Sequence, residues 1–376
     1  MVPHVVVVGA GIVGASVAYH VARRGVAVTL VERGHPASGA TGSSFGWIGR
    51  YGHWPDGARA LRNGVLPHWR RLEDELPDVR VRWTGSLSWG TEASGATDAP
   101  LPAQGIGGGD VELLTAAQAA ALEPNLRKPP GQAVRVSSDG AVDPLAVTEA
   151  LAQGARDHGA RVLLGVRVTS VHTEASRVVA VETSAGELPA DIVVAASGAE
   201  VPALCAPLGV HVPVVPSPAA LLDFEAPQGL VRTLVASPQA EVRESGDGRL
   251  LATASWNADG PRDQQEQTAR RTETAISATF RGADSLQPRS VRVGVRPMPA
   301  DEAPIIGPVP SVPGLYLAVM HSGVTLAPMV GHLIAQEVVD SIEADELRDC
   351  RISRFTGTPL MRDARTRSCR AKVRRS

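Results

Sequence analysis

The stretch Val5-Val6-Val7-Val8-Gly9-Ala10-Gly11-Ile12-Val13-Gly14, with its continuation to Glu32, decides the fold. Four consecutive β-branched residues are long enough for a strand buried on both faces. The G-x-G-x-x-G opens a segment with apolar residues at Val13, Val17, Ala18, Val21 and Ala22, a helical spacing that stops at Gly25. Val26 to Val31 reads as the second strand, and Glu32 stands at its end. Strand, glycine turn, helix, strand and acid in this order make a dinucleotide-binding βαβ unit. Gly9 permits the tight turn, Gly11 lets the backbone approach a pyrophosphate, and Gly14 lets the helix pack closely on the sheet. The first helical turn, with Ile12 and Val13, offers N–H groups and a partial positive charge to phosphates. Glu32 accepts hydrogen bonds from a ribose diol, and Arg33 follows it. These residues by themselves leave FAD and NAD both open.

At 376 residues the chain is large enough for two domains, or for one large α/β unit with an insertion. Its 43% hydrophobic and 20% charged content is that of a globular protein. A formal net charge of −2 points to neither a nucleic-acid partner nor an anionic membrane surface. Cys205, Cys350 and Cys369 are far apart and odd in number, which gives no metal cluster and no disulfide framework and fits a reducing compartment such as the cytoplasm. No apolar run reaches the length of a membrane span. Val5 to Ala18 is not a signal-peptide core, because no basic region precedes it and its glycines fall at nucleotide-binding positions.

Beyond Glu32 lies a small-residue stretch from Ala37 to Gly46, suited to close approach of backbone and hydroxyls to a ligand. Residues 58–76 read as a helix, Val79 to Trp89 as a strand, and residues 90–110 as a loop. Thr115 caps a short helix to Leu122. Asp143, with Pro144 at the first helical position, caps another that Gly159 ends. Arg161 to Val171 and Arg177 to Glu182 read as strands, and Asp191 to Ala196 is a second buried run ending in Ser197-Gly198. Residues 210–256 alternate like antiparallel sheet, with a hairpin turn at Asp247-Gly248, and Pro261 to Phe280 reads as a polar helix. Val291 to Val295 is a strand leading to Arg296-Pro297. Leu315 to Met320 is another, leading through His321-Ser322-Gly323 to a helix from about Thr325. The parallel, nucleotide-type signals thus fall in three blocks with two blocks of other character between them. From Met361 onward the chain carries six Arg and one Lys against one Asp, which reads as a disordered basic tail.

Taken together in order, these blocks resemble the FAD-dependent amino-acid and amine oxidases of the D-amino-acid oxidase superfamily, which includes glycine oxidase and sarcosine oxidase. The resemblance rests on Val5–Glu32, Ala37–Thr41, Asp139–Pro144, Ile192–Gly198, Gly294–Pro297 with Asp301 and Ile306-Gly307, and His321–Pro328. It implies a mixed α/β fold: a Rossmann-type FAD-binding domain with a parallel sheet, made from residues 1–55, 135–210 and 288–355. An antiparallel-sheet substrate domain is inserted in two pieces, 56–134 and 211–287, and 356–376 form the tail. It also implies FAD as cofactor, with its ADP half on Gly9, Gly11, Ile12, Val13, Gly14, Glu32 and Arg33. Thr41, Ser43 and Ser44 match the segment passing the pyrophosphate and flavin, Val168 a strand residue facing the adenine, and Gly198 the close approach after the second buried run. Gly323, Val324 and Thr325 match the turn facing the flavin pyrimidine ring.

Arg296 matches the arginine that holds a substrate carboxylate, the alternative being that it pairs with Asp301 or another carboxylate and only fixes the loop. His321 is the tempting general base, although its place in the turn favours a structural role. Trp47, Tyr51, Trp54 and Trp256 are candidates for walls of the substrate site. The cysteine and histidine positions used by relatives for covalent flavin hold Gly294 and Gly42–Ser44, so the FAD is expected to be non-covalent. The stretch matching the oxygen-activating lysine of sarcosine oxidase, Gly248 to Ala254, holds only Arg249. The function expected is oxidation of the C–N bond of a small amine or amino acid by hydride transfer to flavin N5, with reoxidation by O2 to H2O2. The alternatives are a dehydrogenase passing electrons to a quinone or protein, and a non-catalytic FAD-binding subunit. No nucleic-acid partner and no metal are expected.

Overall fold

The valine run forms the strand His4–Val8, buried at the middle of a six-stranded sheet. In this computed structural model, which describes residues 3–52, 54–90, 110–261 and 263–355, the sheet runs in the order Ile305–Pro308, Leu315–Val319, Ile192–Ala195, His4–Val8, Ala27–Glu32, Arg161–Leu164. All neighbours are parallel except the edge strand Ile305–Pro308. Such a sheet is buried on both faces, which is why its strands are continuous apolar runs.

The helices are α1 Ile12–Ala22, α2 Asp56–Glu75, α3 Ala116–Leu122, α4 Pro144–Asp157, α5 Val201–Cys205, α6 Gln264–Thr279 and α7 Gly323–Asp340. α1 packs between α4 and α7, and α2 lies on α7. The caps read from sequence are in place. Asp143 Oδ1 accepts from the Leu145 and Ala146 amides, and Thr115 forms a capping box with Gln118. A small antiparallel sheet, Gly186–Pro189, Arg177–Thr183 and Val168–Glu174, lies beside the parallel one.

The second large sheet has eight strands, in the order Gln287–Pro299, Val214–Glu225, Leu250–Ser255, Glu241–Glu244, Leu234–Ala236, Ser86–Ser88, Gln132–Val136, Val111–Thr115. It is antiparallel apart from the pair Leu234–Ala236 and Ser86–Ser88. Alternation splits its side chains between two faces. Ala220, Leu222, Phe224, Val242 and Ala252 share a core with Ile276 of α6 and Phe280. Leu221, Leu234 and Leu251 point the other way, onto Phe45 and Ala141.

Several elements differ from the sequence reading. Of the strand expected at Val79–Trp89, only Ser86–Ser88 is one. Gly85 turns the chain at φ +72°, and Arg82 makes a single bridge to Ala141. The strand expected from Arg161 to Val171 is broken at Gly165, φ +71°, and its halves enter different sheets. The strand at Val291–Val295 runs on from Gln287 to Pro299, through Arg296. It is a sheet edge, where prolines remove no needed ladder donor. This strand belongs to the eight-stranded sheet, although residues 288–299 were assigned by sequence to the nucleotide-type block. Conversely α2, assigned to the other block, buries Leu61, Val65, Trp69 and Leu72 in the core that α1 and α7 share. Cys205 and Cys350 are buried free thiols; Cys369, the loop at 91–109 and the basic tail lie outside the described residues.

Candidate active site

At two positions of the glycine turn, Gly9 and Gly14, nothing but glycine fits. The Gly9 amide donates to Val31 O at 2.8 Å with φ +101°, and a Cβ there would lie 2.8 Å from Ala196 O. A Cβ on Gly14 would lie 1.9 Å from Gly9 O. α1 starts at Gly11 with no side-chain cap, and the Ile12 amide donates to Thr41 Oγ1 at 3.2 Å. Glu32 is buried behind the turn and accepts from the amides of Ala10 (2.8 Å) and Gly34 (2.9 Å) and from Ser38 Oγ (3.2 Å). Arg33 pairs with Glu200. The Val166 amide donates to Glu32 O at 2.9 Å, which brings Val168 to the end of the same strand. Gly198, at φ +61°, closes the other side after Ile192–Ala195. These groups line the carboxyl ends of the parallel strands, where nucleotides bind in open α/β sheets. A backbone cleared of Cβ atoms, an uncapped helix N-terminus and a carboxylate behind it fit the ADP half of a dinucleotide. The orphaned, buried Ser197 Oγ sits at the same turn.

The second sheet lies against the segment that follows. A Cβ on Gly294 would meet Ser43 Cβ at 2.9 Å and Ala40 Cα at 3.3 Å, and Arg292 Nη1 donates to Gly42 O at 2.9 Å. Thr41, Ser43 and Ser44 therefore run between the two sheets. Arg243, buried, donates to Phe45 O at 2.6 Å and Val142 O at 2.9 Å, tying the sheet to this segment. Burial lowers its pKa to about 10, so it stays charged. Arg296 stands two residues beyond Gly294 on the same face. Its Nη2 donates to Ser217 Oγ at 2.8 Å and its Nε to Ser217 O at 3.3 Å. Among the described residues it has no ion-pair partner. Asp301 is held instead by Arg354 at 2.7 and 3.0 Å, which removes the alternative weighed from sequence. Arg249, the cation in the stretch matching the oxygen-activating lysine, pairs with Asp223 and Asp247 at the hairpin.

The third component is the turn into α7. Ser322 adopts φ +60°, and α7 begins with no side-chain cap. Arg62, only 5% exposed, reaches it from α2, donating to Ser322 Oγ at 2.6 Å and to Gly49 O, with its guanidinium 3.5 Å from the Trp54 ring centroid. Ser322 Oγ accepts from Arg62 and lies 3.2 Å from His321 Nδ1, in hydrogen-bond contact with the imidazole. Burial, with the charges of Arg296 and Arg62 added, pushes His321 down to about 4. At neutral pH it is uncharged. The Thr325 hydroxyl donates to Trp47 O at 2.8 Å, and Thr325 O accepts from Trp69 Nε1 at 2.8 Å, so its side chain fastens the strand Trp47–Ile48 to α7.

Three groups escaped the sequence reading. Arg62 sits on the buried stripe of an amphipathic helix, so a charged residue in phase with Leu61, Val65 and Trp69 was the one signal that could have flagged it, though not its partners. Asp139, which sequence marks only as the start of the run Asp139–Pro144 and gives no role, is 3% exposed, accepts from Trp47 Nε1 at 2.9 Å and Ser86 Oγ at 2.8 Å, and is pushed up by burial to about 6. Glu241 lies on the face that carries Arg296, in a strand with no motif to mark it. Three of the aromatic candidates have contacts that fix them. Trp54 stacks on Arg62, Trp47 holds Asp139, and Trp256 packs against the core shared with α6.

The model of the FAD dependent oxidoreductase (DAO) family matches residues 4–337. The chain belongs to that family. This FAD-dependent oxidoreductase is 29% identical over 361 residues to a glycine oxidase of Bacillus licheniformis, covering 89% of the chain and 92% of the relative. It is 28% identical over 423 residues to a D-amino acid dehydrogenase of Cereibacter sphaeroides, covering 93% and 95%. Among solved structures, glycine oxidase from Geobacillus kaustophilus superposes with a TM-score of 0.83 at 24% identity, covering 94% of this chain and 99% of that one. Among the described residues, no helix of this family member is long and apolar enough to cross a membrane.

Proposed function

We propose that this flavoenzyme oxidises the C–N bond of a small amino acid to the imine, which water hydrolyses, and that O2 takes up the electrons to give H2O2. The observation that carries the reading is Arg296. It is a guanidinium fixed by Ser217 on the sheet face turned toward the Ala40–Ser43 segment, with no ion-pair partner among the described residues. A planar two-point donor of this kind grips a carboxylate and orients the carbon attached to it. The FAD supplies the two-electron acceptor chemistry.

The chain's own residues hold and orient. Gly9, Gly11, Ile12, Val13, Gly14 and Glu32 take the ADP half, with Arg33, Val168 and Gly198 around the nucleoside. Thr41, Ser43 and Ser44 follow the diphosphate, and the amides of Gly323, Val324 and Thr325 meet the flavin ring. With glycine at position 294 and no histidine in Gly42–Ser44, the cofactor is held non-covalently. His321, neutral and bound through Ser322 to the buried Arg62, supports this turn rather than serving as a general base. A substrate in the cytoplasm of the cell, without nucleic acid or membrane partner, fits the composition.

The near-equal likeness to a glycine oxidase and a D-amino acid dehydrogenase favours a second reading, in which a quinone or protein accepts the electrons. Turnover of an amino-acid panel, followed in parallel by H2O2 formation and by reduction of an artificial dye, separates the two. The oxidase reading expects peroxide at a rate matching dye reduction. Dye reduction at least tenfold faster than peroxide formation would favour the dehydrogenase.

A further inference from the structure

The face of the eight-stranded sheet that carries Arg296 also carries a carboxylate. Register pairs Ser217 with Arg296, Leu221 with Arg292 and with Thr253, and Thr253 with Glu241. Directly opposed residues share a face, as do residues two apart along a strand, so Arg296, Ser217, Thr253 and Glu241 all project to the same side. That side is the one on which Gly294 meets Ser43 and Arg243 binds Phe45 O.

Glu241 is half-buried and only partly satisfied. Its Oε2 accepts from Thr253 Oγ1 at 2.7 Å, and its Oε1 has no hydrogen-bond donor among the described residues. Burial raises its pKa, while the Thr253 hydroxyl and the charge of Arg296 work in the other direction. The two form no ion pair among the described residues: Arg296 is held by Ser217, and Glu241 by Thr253. Opposite charges on one sheet face that do not close on each other can be met by a molecule carrying both complementary charges.

We propose that Arg296 and Glu241 bracket the substrate, Arg296 taking its carboxylate and Glu241 its protonated nitrogen, so that the site selects zwitterionic amino or imino acids over simple amines and over nitrogen-free acids. This rests on the reading of Arg296 as the carboxylate anchor. Glu241 acts in binding and orientation. With Thr253 holding Oε2, the free Oε1 faces the nitrogen, and a buried carboxylate has more to gain from a cation than an exposed one.

The test uses the FAD-loaded enzyme and two ligands of the same shape, 2-aminoisobutyrate and pivalate, which differ in having –NH3+ or –CH3 on one carbon. Neither has an α C–H bond to be oxidised, so binding is read from the perturbation of the flavin spectrum without turnover. The wild-type enzyme is expected to bind 2-aminoisobutyrate at least about tenfold more tightly than pivalate, the scale of one charged hydrogen bond. Glu241→Gln should abolish that preference and leave the Kd for pivalate unchanged. Arg296→Ala should weaken both ligands. A wild-type enzyme that does not distinguish the ligands, a comparison that needs no variant to fold, overturns the proposal. So does a Glu241→Gln enzyme that loses affinity for both ligands equally. If Arg296→Ala leaves both affinities unchanged, or neither ligand binds the wild type, the carboxylate reading of Arg296 falls and the bracket falls with it.

Discussion

At the scale of single residues, the account turns on Arg296, held by Ser217 and left without a counter-ion. Removing its side chain takes away a charged hydrogen bond worth about 1.5–3 kcal/mol. Arg296→Ala should therefore lower kcat/KM for carboxylated substrates at least about tenfold while the flavin content per protein stays the same. Arg296→Lys should recover part of the loss, because a point charge replaces the fork. Steady-state kinetics on FAD-saturated protein checks this, and an unchanged kcat/KM contradicts it. Arg296 was legible in the sequence because it stands in a recognisable run, Gly294-Val295-Arg296-Pro297. Arg62, Asp139 and Glu241 were not, because their significance lies in what surrounds them. Arg62 lies 260 positions from the Ser322 it binds, and Asp139 lies 92 from Trp47. A local window cannot connect such pairs.

At the scale of elements, the βαβ unit was read almost to the residue, since each of its glycines answers to one steric demand. Gly14 and Gly11 differ in a way that experiment can separate. A methyl group on Gly14 collides with Gly9 O at 1.9 Å, a backbone atom that cannot yield, so Gly14→Ala should destabilise the fold by about 1–3 kcal/mol and abolish FAD binding. A methyl group on Gly11 meets only Thr41 Oγ1 at 3.3 Å, so Gly11→Ala should fold normally yet bind FAD at least about tenfold more weakly, because the Cβ would stand in the path proposed for the diphosphate. Thermal unfolding together with flavin titration reads both. A Gly11→Ala protein with unaltered FAD affinity would put the diphosphate elsewhere. The elements misread from sequence fail for one physical reason. Alternation and apolar runs report that a segment is extended, but not where a glycine at positive φ bends it into another sheet, as Gly165 does, or how far an edge strand tolerates proline, as in Gln287–Pro299.

At the scale of the whole molecule, α1, α2 and α7 bury a cluster of imidazoles. His20 contacts His332, with ring centroids 5.8 Å apart, and His332 contacts His68 at 5.2 Å. Burial pushes His20 well below its ordinary value and His332 down to about 4, and His321 in the α7 turn is likewise near 4. These groups bind protons more readily unfolded than folded, so the stability they contribute is present above about 6.5 and is lost as pH falls toward 4. Carboxylates raised by burial act in the opposite sense, Asp139 to about 6 together with Glu123, Asp223 and Glu241, while His68 is lowered as well. Four imidazoles whose ordinary value lies inside this range thus stand against four carboxylates whose ordinary values lie below it. The midpoint of thermal unfolding, with FAD held saturating, should therefore fall between pH 7 and pH 5, and His332→Gln should flatten the slope. A midpoint that stays level or rises on acidification contradicts this balance. The Ala40–Ser43 segment touches the nucleotide turn through Thr41 and the strand of Arg296 through Gly294 and Arg292, and the central claim is that an amino acid is oxidised where these parts meet. Its most direct test is anaerobic mixing of the FAD-loaded enzyme with a panel of amino acids, imino acids and simple amines while following the flavin band near about 450 nm. The account predicts bleaching by carboxylated amines, absent with amines that lack a carboxylate, and return of the colour when air is admitted. A flavin band that no member of the panel bleaches, or one bleached equally by amines without a carboxylate, would contradict it.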